Sequence, residues 1–84
     1  MSGRIEIRFI PGEGALLRML GVVERRGFAI RGVAMAEEAS EATIAMDVEA
    51  RDPLRRPDVL TRQLERLIEV RSARFSPSDA GAPE

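Results

Sequence analysis

The stretch Arg4–Arg26, RIEIRFIPGEGALLRMLGVVERR, changes its hydrophobic period partway along its length. From Arg4 to Ile10 apolar and charged residues alternate, which is the pattern of a strand with one buried face. The turn-forming sequence Pro11–Gly14 follows, and from Ala15 onward apolar residues recur every three or four positions, as on one face of a helix. Gly27 stands where the helix end needs a left-handed cap. The stretch therefore predicts a strand, a tight turn and an amphipathic helix.

The remaining sequence continues this alternation of strand and helix patterns. Phe28–Ala36 and Ala42–Ala50 predict a second and a third strand, joined by the short polar connection Glu37–Glu41. Pro57 begins a second amphipathic helix, and Val70–Phe75 predicts a short last strand. The apolar stripes of the two helices should face the core. They consist of Leu16, Met19, Leu20 and Val23 in the first helix and Leu60, Leu64, Leu67 and Ile68 in the second.

The second predicted strand changes phase at Gly32. Its larger apolar side chains are Phe28 and Ile30 before the glycine, and Val33 and Met35 after it. In an uninterrupted strand these two pairs would lie on opposite faces of the sheet. Either Gly32 marks a β-bulge, or both faces of this strand are covered.

The order β-α-β-β-α-β predicts an α+β fold, the ferredoxin-like split βαβ sandwich. Right-handed crossovers place the first and third strands in the middle of a four-stranded antiparallel sheet, with both helices on one face. We expect the domain to occupy residues 1–75. The segment 76–84 is polar and rich in Pro, Ser and Gly, and we expect it to be a disordered tail.

The two central strands of this fold carry opposite charges on their outward faces. These residues are Arg4, Glu6 and Arg8 on the first strand and Asp47 and Glu49 on the third. We expect them to pair across the ladder and to form a solvated sheet face rather than a site.

Composition excludes several classes of function. The chain has 84 residues, with 13 basic and 14 acidic side chains, and contains no Cys, His, Lys, Trp, Tyr or Asn. The usual thiol, imidazole and amine chemistry is therefore absent, and we expect no catalytic residue, no metal site and no cofactor. The balanced charge argues against nucleic acid and anionic membranes as partners. Since no stretch approaches the ~20 apolar residues of a membrane span, we expect a cytoplasmic protein.

Two motifs carry a family resemblance. Gly14–Ile30, GALLRMLGVVERRGFAI, contains a GAL-x-R run and an R-G-F step into the second strand, and Gln63–Val70 reads QLERLIEV. Both segments resemble the ACT domain of the small regulatory subunit of acetolactate synthase, whose second helix ends in a similar Q-L-x-K-L-x-D-V. The resemblance spans Ile5 to about Phe75, and the chain length matches the short, single-domain form of that subunit.

The resemblance implies a non-catalytic subunit that forms a homodimer and activates the large, thiamine-diphosphate-dependent catalytic subunit in branched-chain amino acid biosynthesis. ACT domains typically dimerise through their second strands, and an amino-acid effector then lies between the glycine loop of one chain and the second strand of the other. The implied effector-binding residues are Gly12, Glu13, Gly14, Ala15, Leu16, Ala29, Ile30 and Gly32. The implied dimer-interface residues are Phe28, Ile30, Val33 and Met35.

Two positions depart from the feedback-sensitive members of the resembled family. Those members usually carry Asn or Asp in the loop before G-A-L and Asn before the Ile of the second strand, where this chain has Pro11 and Ala29. The loss of both side chains implies that any amino-acid effector binds weakly.

Other functions of the same fold are weighed against this resemblance. One alternative is a free-standing ACT domain that senses an amino acid and acts on another enzyme or regulator. Acylphosphatase-like chemistry would use Arg8 or Arg18 to hold phosphate, but this chain lacks the Asn that positions the attacking water in that family. RNA binding lacks exposed aromatic side chains on the first and third strands.

Overall fold

The computed structural model describes residues 2–78 and contains one sheet and two helices. The elements are β1 (Ser2–Phe9), α1 (Ala15–Arg25), β2 (Phe28–Glu38), β3 (Glu41–Ala50), α2 (Pro57–Glu65) and β4 (Val70–Pro77). The strands form an antiparallel sheet in the order β2-β3-β1-β4. The predicted ferredoxin-like α+β fold is confirmed, with the first and third strands in the middle and the second and fourth at the edges.

The core lies between the sheet and the helices and consists of apolar side chains. In β1 the inward residues Ile5, Ile7 and Phe9 are at most 1% exposed, and the residues between them are exposed. The other fully buried large side chains are Met19, Val23, Phe28, Ile44, Met46, Val48, Leu60 and Leu64. The alternation of charged and apolar residues in β1 and β3 therefore separates a solvent face from a core face, as predicted.

The buried face of α1 is rotated relative to the predicted stripe. Met19 and Val23 are buried as expected, whereas Leu20 is only partly buried and Leu16 is 36% exposed. The remaining buried residues of the helix are Ala15 and Val22. Both sets of positions have helical spacing, so periodicity alone does not decide which of the two faces is buried.

α2 ends at Glu65, before the last two positions of its predicted stripe. Leu67 packs against the core, but Ile68 is 97% exposed, so the prediction that Ile68 faces the core is wrong. The chain leaves the helix through turn hydrogen bonds, including one from the Val70 backbone N–H to the Leu67 carbonyl at 3.0 Å. Since this turn redirects the chain before β4, helical spacing no longer applies at Ile68.

β2 and β3 form a longer hairpin than the sequence predicts. The expected polar connection Glu37–Glu41 is mostly strand, because pairing continues to Glu38 opposite Glu41. Only Ala39 and Ser40 form the turn, and Ala39 has a positive φ of 53°. A two-residue loop with a positive φ at its first position is a common way to join antiparallel strands.

β4 continues through Ser76 and Pro77, beyond the strand end predicted at Phe75, and residues 79–84 of the expected tail lie outside the described residues. Pro77 is tolerated because β4 is an edge strand. The facing Gly3 leaves room for the Phe75 ring, since a Cβ atom at Gly3 would collide with the ring.

Replacing Leu64 with Ala should lower the free energy of unfolding by roughly 2–5 kcal/mol, because the change leaves a cavity in the core. Ile68→Ala is the matched control, since that side chain is 97% exposed. Urea unfolding followed by circular dichroism measures both. Equal midpoints for the two variants would contradict this description of the core.

Candidate functional site

The predicted glycine loop, residues 12–16, joins β1 to α1 and exposes its main chain. Gly14 has a positive φ of 79°, which a residue with a side chain rarely adopts. It is also the N-cap of α1 and has no side chain that could cap the helix. A Cβ atom at Gly12 would meet open space. Backbone N–H groups at such a helix start favour anionic groups.

Arg18 and Glu69 hold the glycine loop in place. Glu69 precedes β4, and its Oε2 accepts hydrogen bonds from both Nε and Nη2 of Arg18, the former at 2.8 Å. Arg18 Nη2 also donates to the Glu13 carbonyl at 3.3 Å. The backbone N–H of Ile10 donates to the Glu69 carbonyl at 2.8 Å. The loop is therefore fastened to the connection between α2 and β4 by main-chain and side-chain bonds.

The Glu69 carboxylate is stabilised in its charged form. The hydrogen bond from Arg18 holds the pKa of Glu69 below its usual value, and a hydrogen bond from its own backbone acts in the same direction. Burial opposes this shift, since only 9% of the side chain is exposed and loss of solvent disfavours the charged carboxylate. The sequence-based predictions do not include Glu69 as a site residue, although it is the second acid of the QLERLIEV motif.

β2 carries a β-bulge at the place where the sequence changes phase. Ile30 lies opposite Val48 and Gly32 opposite Asp47, so Arg31 is the extra residue. After the bulge Val33 lies opposite the buried Met46. Since directly opposed residues share a face, Ile30 and Val33 both lie on the helix-covered face. The bulge alternative is confirmed, and the alternative with apolar residues on both faces of β2 is wrong.

The predicted interface residues of β2 differ in their exposure. Phe28 is 1% exposed and belongs to the core of its own chain, and Ile30 is partly buried. Val33 and Met35 are 50% and 48% exposed, although they lie on the face that the helices cover elsewhere. The long hairpin therefore leaves an apolar overhang, Val33 and Met35, along an open sheet edge.

The two halves of the predicted effector site lie at opposite ends of the sheet. The register places Phe9, just before the glycine loop, level with Ala42 and Glu37. It places Ala29 level with Glu49, at the other end of the sheet. The glycine loop and the segment 29–32 therefore do not meet within one chain.

The solvent face of the sheet carries ion pairs. Arg4 is opposite Asp47, with Nε and Oδ1 3.1 Å apart, as the sequence predicts. Glu49 instead pairs with Arg31 of β2, with Nη2 and Oε1 3.0 Å apart. These residues line a shallow concavity of about 460 Å³. Because its charged side chains are exposed and already paired, we interpret it as a solvated surface.

The family model for the ACT domain matches residues 11–73. This chain belongs to the ACT domain family. The match includes the glycine loop, both helices and the long hairpin, and it ends within β4. No curated protein matches the sequence.

Solved structures show the same fold at low sequence identity. An ACT domain protein from Streptococcus pneumoniae is 11% identical, with a TM-score of 0.79, and the match covers 100% of this chain and 97% of that one. The ACT domain from GTP pyrophosphokinase of Chlorobium tepidum is 14% identical, with a TM-score of 0.74, covering 90% and 97%. The regulatory subunit of aspartate kinase from Thermus thermophilus, in a ligand-free form, is 21% identical, with a TM-score of 0.67, covering 90% and 50%.

ACT domains are typically regulatory domains that bind amino acids and perform no catalysis. As a member of this family, the chain is assigned the same general function, that of a non-catalytic regulatory domain. Within residues 2–78, no three acidic, His or Cys side chains cluster closely enough to hold a metal ion. In the same range, no helix has the length and hydrophobicity needed to cross a membrane.

Replacing Glu69 with Gln should destabilise the fold at neutral pH and have a smaller effect in acid. Because the folded-state pKa of Glu69 is lowered, its contribution is complete above the ordinary glutamate pKa of about 4.3 and is lost as the pH falls through the folded-state value. Urea unfolding at a series of pH values tests this, with the exposed Glu24→Gln as control. A difference between Glu69→Gln and the parent that is the same at pH 7 and in acid would contradict the Arg18–Glu69 assignment.

Proposed function

We propose that this chain is the small regulatory subunit of an acetolactate synthase. In this role it binds and activates a large thiamine-diphosphate-dependent catalytic subunit in branched-chain amino acid biosynthesis. The observation that carries the proposal is the Arg18–Glu69 ion pair. Arg18 comes from the GAL-x-R motif and Glu69 from QLERLIEV, so the two motifs that carry the resemblance form one structural unit around the glycine loop.

A regulatory subunit needs no catalytic group of its own. It raises the activity of its partner when it binds the active conformation more tightly than the inactive one. This mode of action agrees with a chain that has no Cys, His or Lys. It also agrees with a solvent face of the sheet on which Arg4 pairs with Asp47 and Arg31 with Glu49.

The active form in this proposal is a homodimer. A chain of 84 residues buries a small core and gains stability from a partner. Ile30, Val33 and Met35 would form the apolar part of the interface, while Phe28 supports it from the core. The glycine loop of one copy would then approach Ala29–Gly32 of the other and form the effector site between the chains.

Purified chain should raise the rate of acetolactate formation by the large subunit from the same organism, at saturating thiamine diphosphate and magnesium. The expected response is a saturable increase, with no turnover by the small chain alone. Leu64→Ala, with its disrupted core, serves as the control that should activate less.

Two results of that assay are decisive in different ways. An unchanged rate together with no complex in light scattering would contradict the proposal. Binding of an amino acid in the absence of any such complex would favour the alternative, a free-standing ACT sensor that acts on another protein.

Valine should bind the dimer weakly, with a Kd above about 1 mM, which corresponds to about 4 kcal/mol. Pro11 and Ala29 offer no side-chain amide to the ammonium and carboxylate groups of the ligand, and each unpaired polar group in a closed site costs about 1–3 kcal/mol. Isothermal calorimetry with valine, leucine and isoleucine measures this.

The double variant Pro11→Asn with Ala29→Asn is the matched comparison for that titration. Stronger binding by this variant would support the assignment of the two positions. Tight valine binding by the parent chain would contradict it.

A further inference from the structure

The end of the domain where α1 stops and α2 starts carries a small concavity, which we call the basic hollow. Its volume is about 130 Å³, the space of roughly four water molecules at about 30 Å³ each, so it admits one small group such as a carboxylate. No acidic side chain lines it. The residues that line it are Arg26, Leu54, Arg55, Arg56 and Val59.

The arginines of the basic hollow keep hydrogen-bond donors for a further partner. Within residues 2–78, Arg26 has no ion-pair partner. Arg55 donates only its Nε to the Asp52 carboxylate, at 3.2 Å. Arg56 donates Nε and Nη2 to the Asp58 carboxylate, both at 3.1 Å. Since a guanidinium has five N–H donors, each of the three arginines can still bind a carboxylate.

The connection that presents Leu54 is held in shape by local bonds. The Leu54 backbone N–H donates to Oδ1 of Asp52 at 2.9 Å, and the Arg51 N–H donates to the Gly27 carbonyl at 2.8 Å. Gly27 has a positive φ of 91°, and a Cβ atom there would collide with the Arg55 side chain. The Arg55 side chain therefore lies directly against the main chain after α1. Groups fixed in this way lose little conformational entropy on binding.

Leu54 adds an apolar contact to this charged surface and indicates the class of partner. Its side chain is 86% exposed. A free inorganic anion would satisfy the arginines but leave Leu54 in water, and the net charge of −1 opposes binding to nucleic acid. An acidic protein segment can place a carboxylate in the hollow and cover Leu54 with an apolar side chain. The surface is therefore complementary to an acidic segment of a protein.

We propose that the basic hollow is the surface through which this chain docks to the large catalytic subunit. A carboxylate from an acidic segment of that subunit enters the hollow, and Leu54 packs against an apolar side chain beside it. This docking surface rests on the proposed function and supplies the contact that such a complex requires. None of the residues expected at the homodimer interface lines the hollow, so the two interactions use different residues.

A zero-length crosslinker tests for the carboxylate directly, because this chain contains no lysine. Arg26→Lys introduces a single side-chain amine at the hollow, which a carbodiimide joins to a carboxylate in contact with it. Arg66→Lys is the matched control, since Arg26 and Arg66 are the exposed C-cap residues of α1 and α2. On a denaturing gel, Arg26→Lys should yield a covalent product with the large subunit, and Arg66→Lys should not.

Affinity measurements test the charge and the apolar contact separately. Arg26→Glu and Leu54→Ser should each weaken binding to the large subunit by about tenfold or more, as for residues at the centre of an interface. Arg66→Glu and Ile68→Ser are the controls and should bind as the parent does, although Ile68 is even more exposed, at 97%. Urea midpoints of the isolated variants check that each one folds.

Salt provides a second measurement of the charged contact. Raising the ionic strength from about 0.1 M to about 1 M shortens the screening length from about 10 Å to about 3 Å. Binding of the parent chain to the large subunit should weaken over this range, and binding of Arg26→Glu should weaken less because part of the attraction is already lost.

The outcomes separate the docking surface from the proposed function. Parent-like affinity of both Arg26→Glu and Leu54→Ser, or equal crosslinking of the two lysine variants, in a complex that still forms would overturn the docking surface and leave the regulatory role intact. Binding of a labelled RNA oligonucleotide that Arg26→Glu abolishes, with unchanged binding to the large subunit, would also overturn it. A parent chain that forms no complex with the large subunit would overturn both.

Discussion

The extra residue at Arg31 is the constraint on which the open edge of the molecule depends. Without it, Val33 and Met35 would lie on the solvent face of the sheet, while Phe28 and Ile30 would lie on the other face. With it, all four side chains lie on the helix-covered face, and the helices shield Phe28 fully but leave the other end of the strand half exposed. One inserted residue therefore converts a two-faced strand into a one-faced edge with an apolar overhang.

The ion pair between Arg18 and Glu69 plays the corresponding role at the glycine loop. The loop exposes backbone N–H groups and has Gly14 at a positive φ. Because glycine restricts the backbone little, the sequence of the loop does not fix its conformation strongly. Its position is set from outside, by the Glu69 carboxylate and by the bond between the Ile10 N–H and the Glu69 carbonyl. These bonds attach the loop to the connection between α2 and β4.

The sequence predicts the architecture well because two simple periods dominate it. Alternation in RIEIRFI and helical spacing in ALLRML each follow from one buried face, and the short connections leave few topologies. Periodicity fails at Ile68, because the chain turns before this residue and the spacing of apolar residues does not reveal the turn. The sequence predicts the β2–β3 connection but not its short length, because the polar Glu37 and Glu38 belong to β2 only through their pairing with β3.

The candidate site was less predictable than the fold for a physical reason. Its parts come from positions distant in sequence, and the contact between Arg18 and Glu69 spans 51 positions. The sequence leaves two alternatives at Gly32, a β-bulge or a strand with both faces covered. Only the pairing of Ile30 with Val48 and of Gly32 with Asp47 decides between them. The two halves of the predicted effector site lie at opposite ends of the sheet, which the spacing of their residues in the sequence does not reveal.

Native mass spectrometry of this chain mixed with the large catalytic subunit tests the central claim most directly. A regulatory subunit that acts as a dimer predicts complexes that contain even numbers of the 9.3 kDa chain. Complexes with single copies, or no complex at all, would contradict the account.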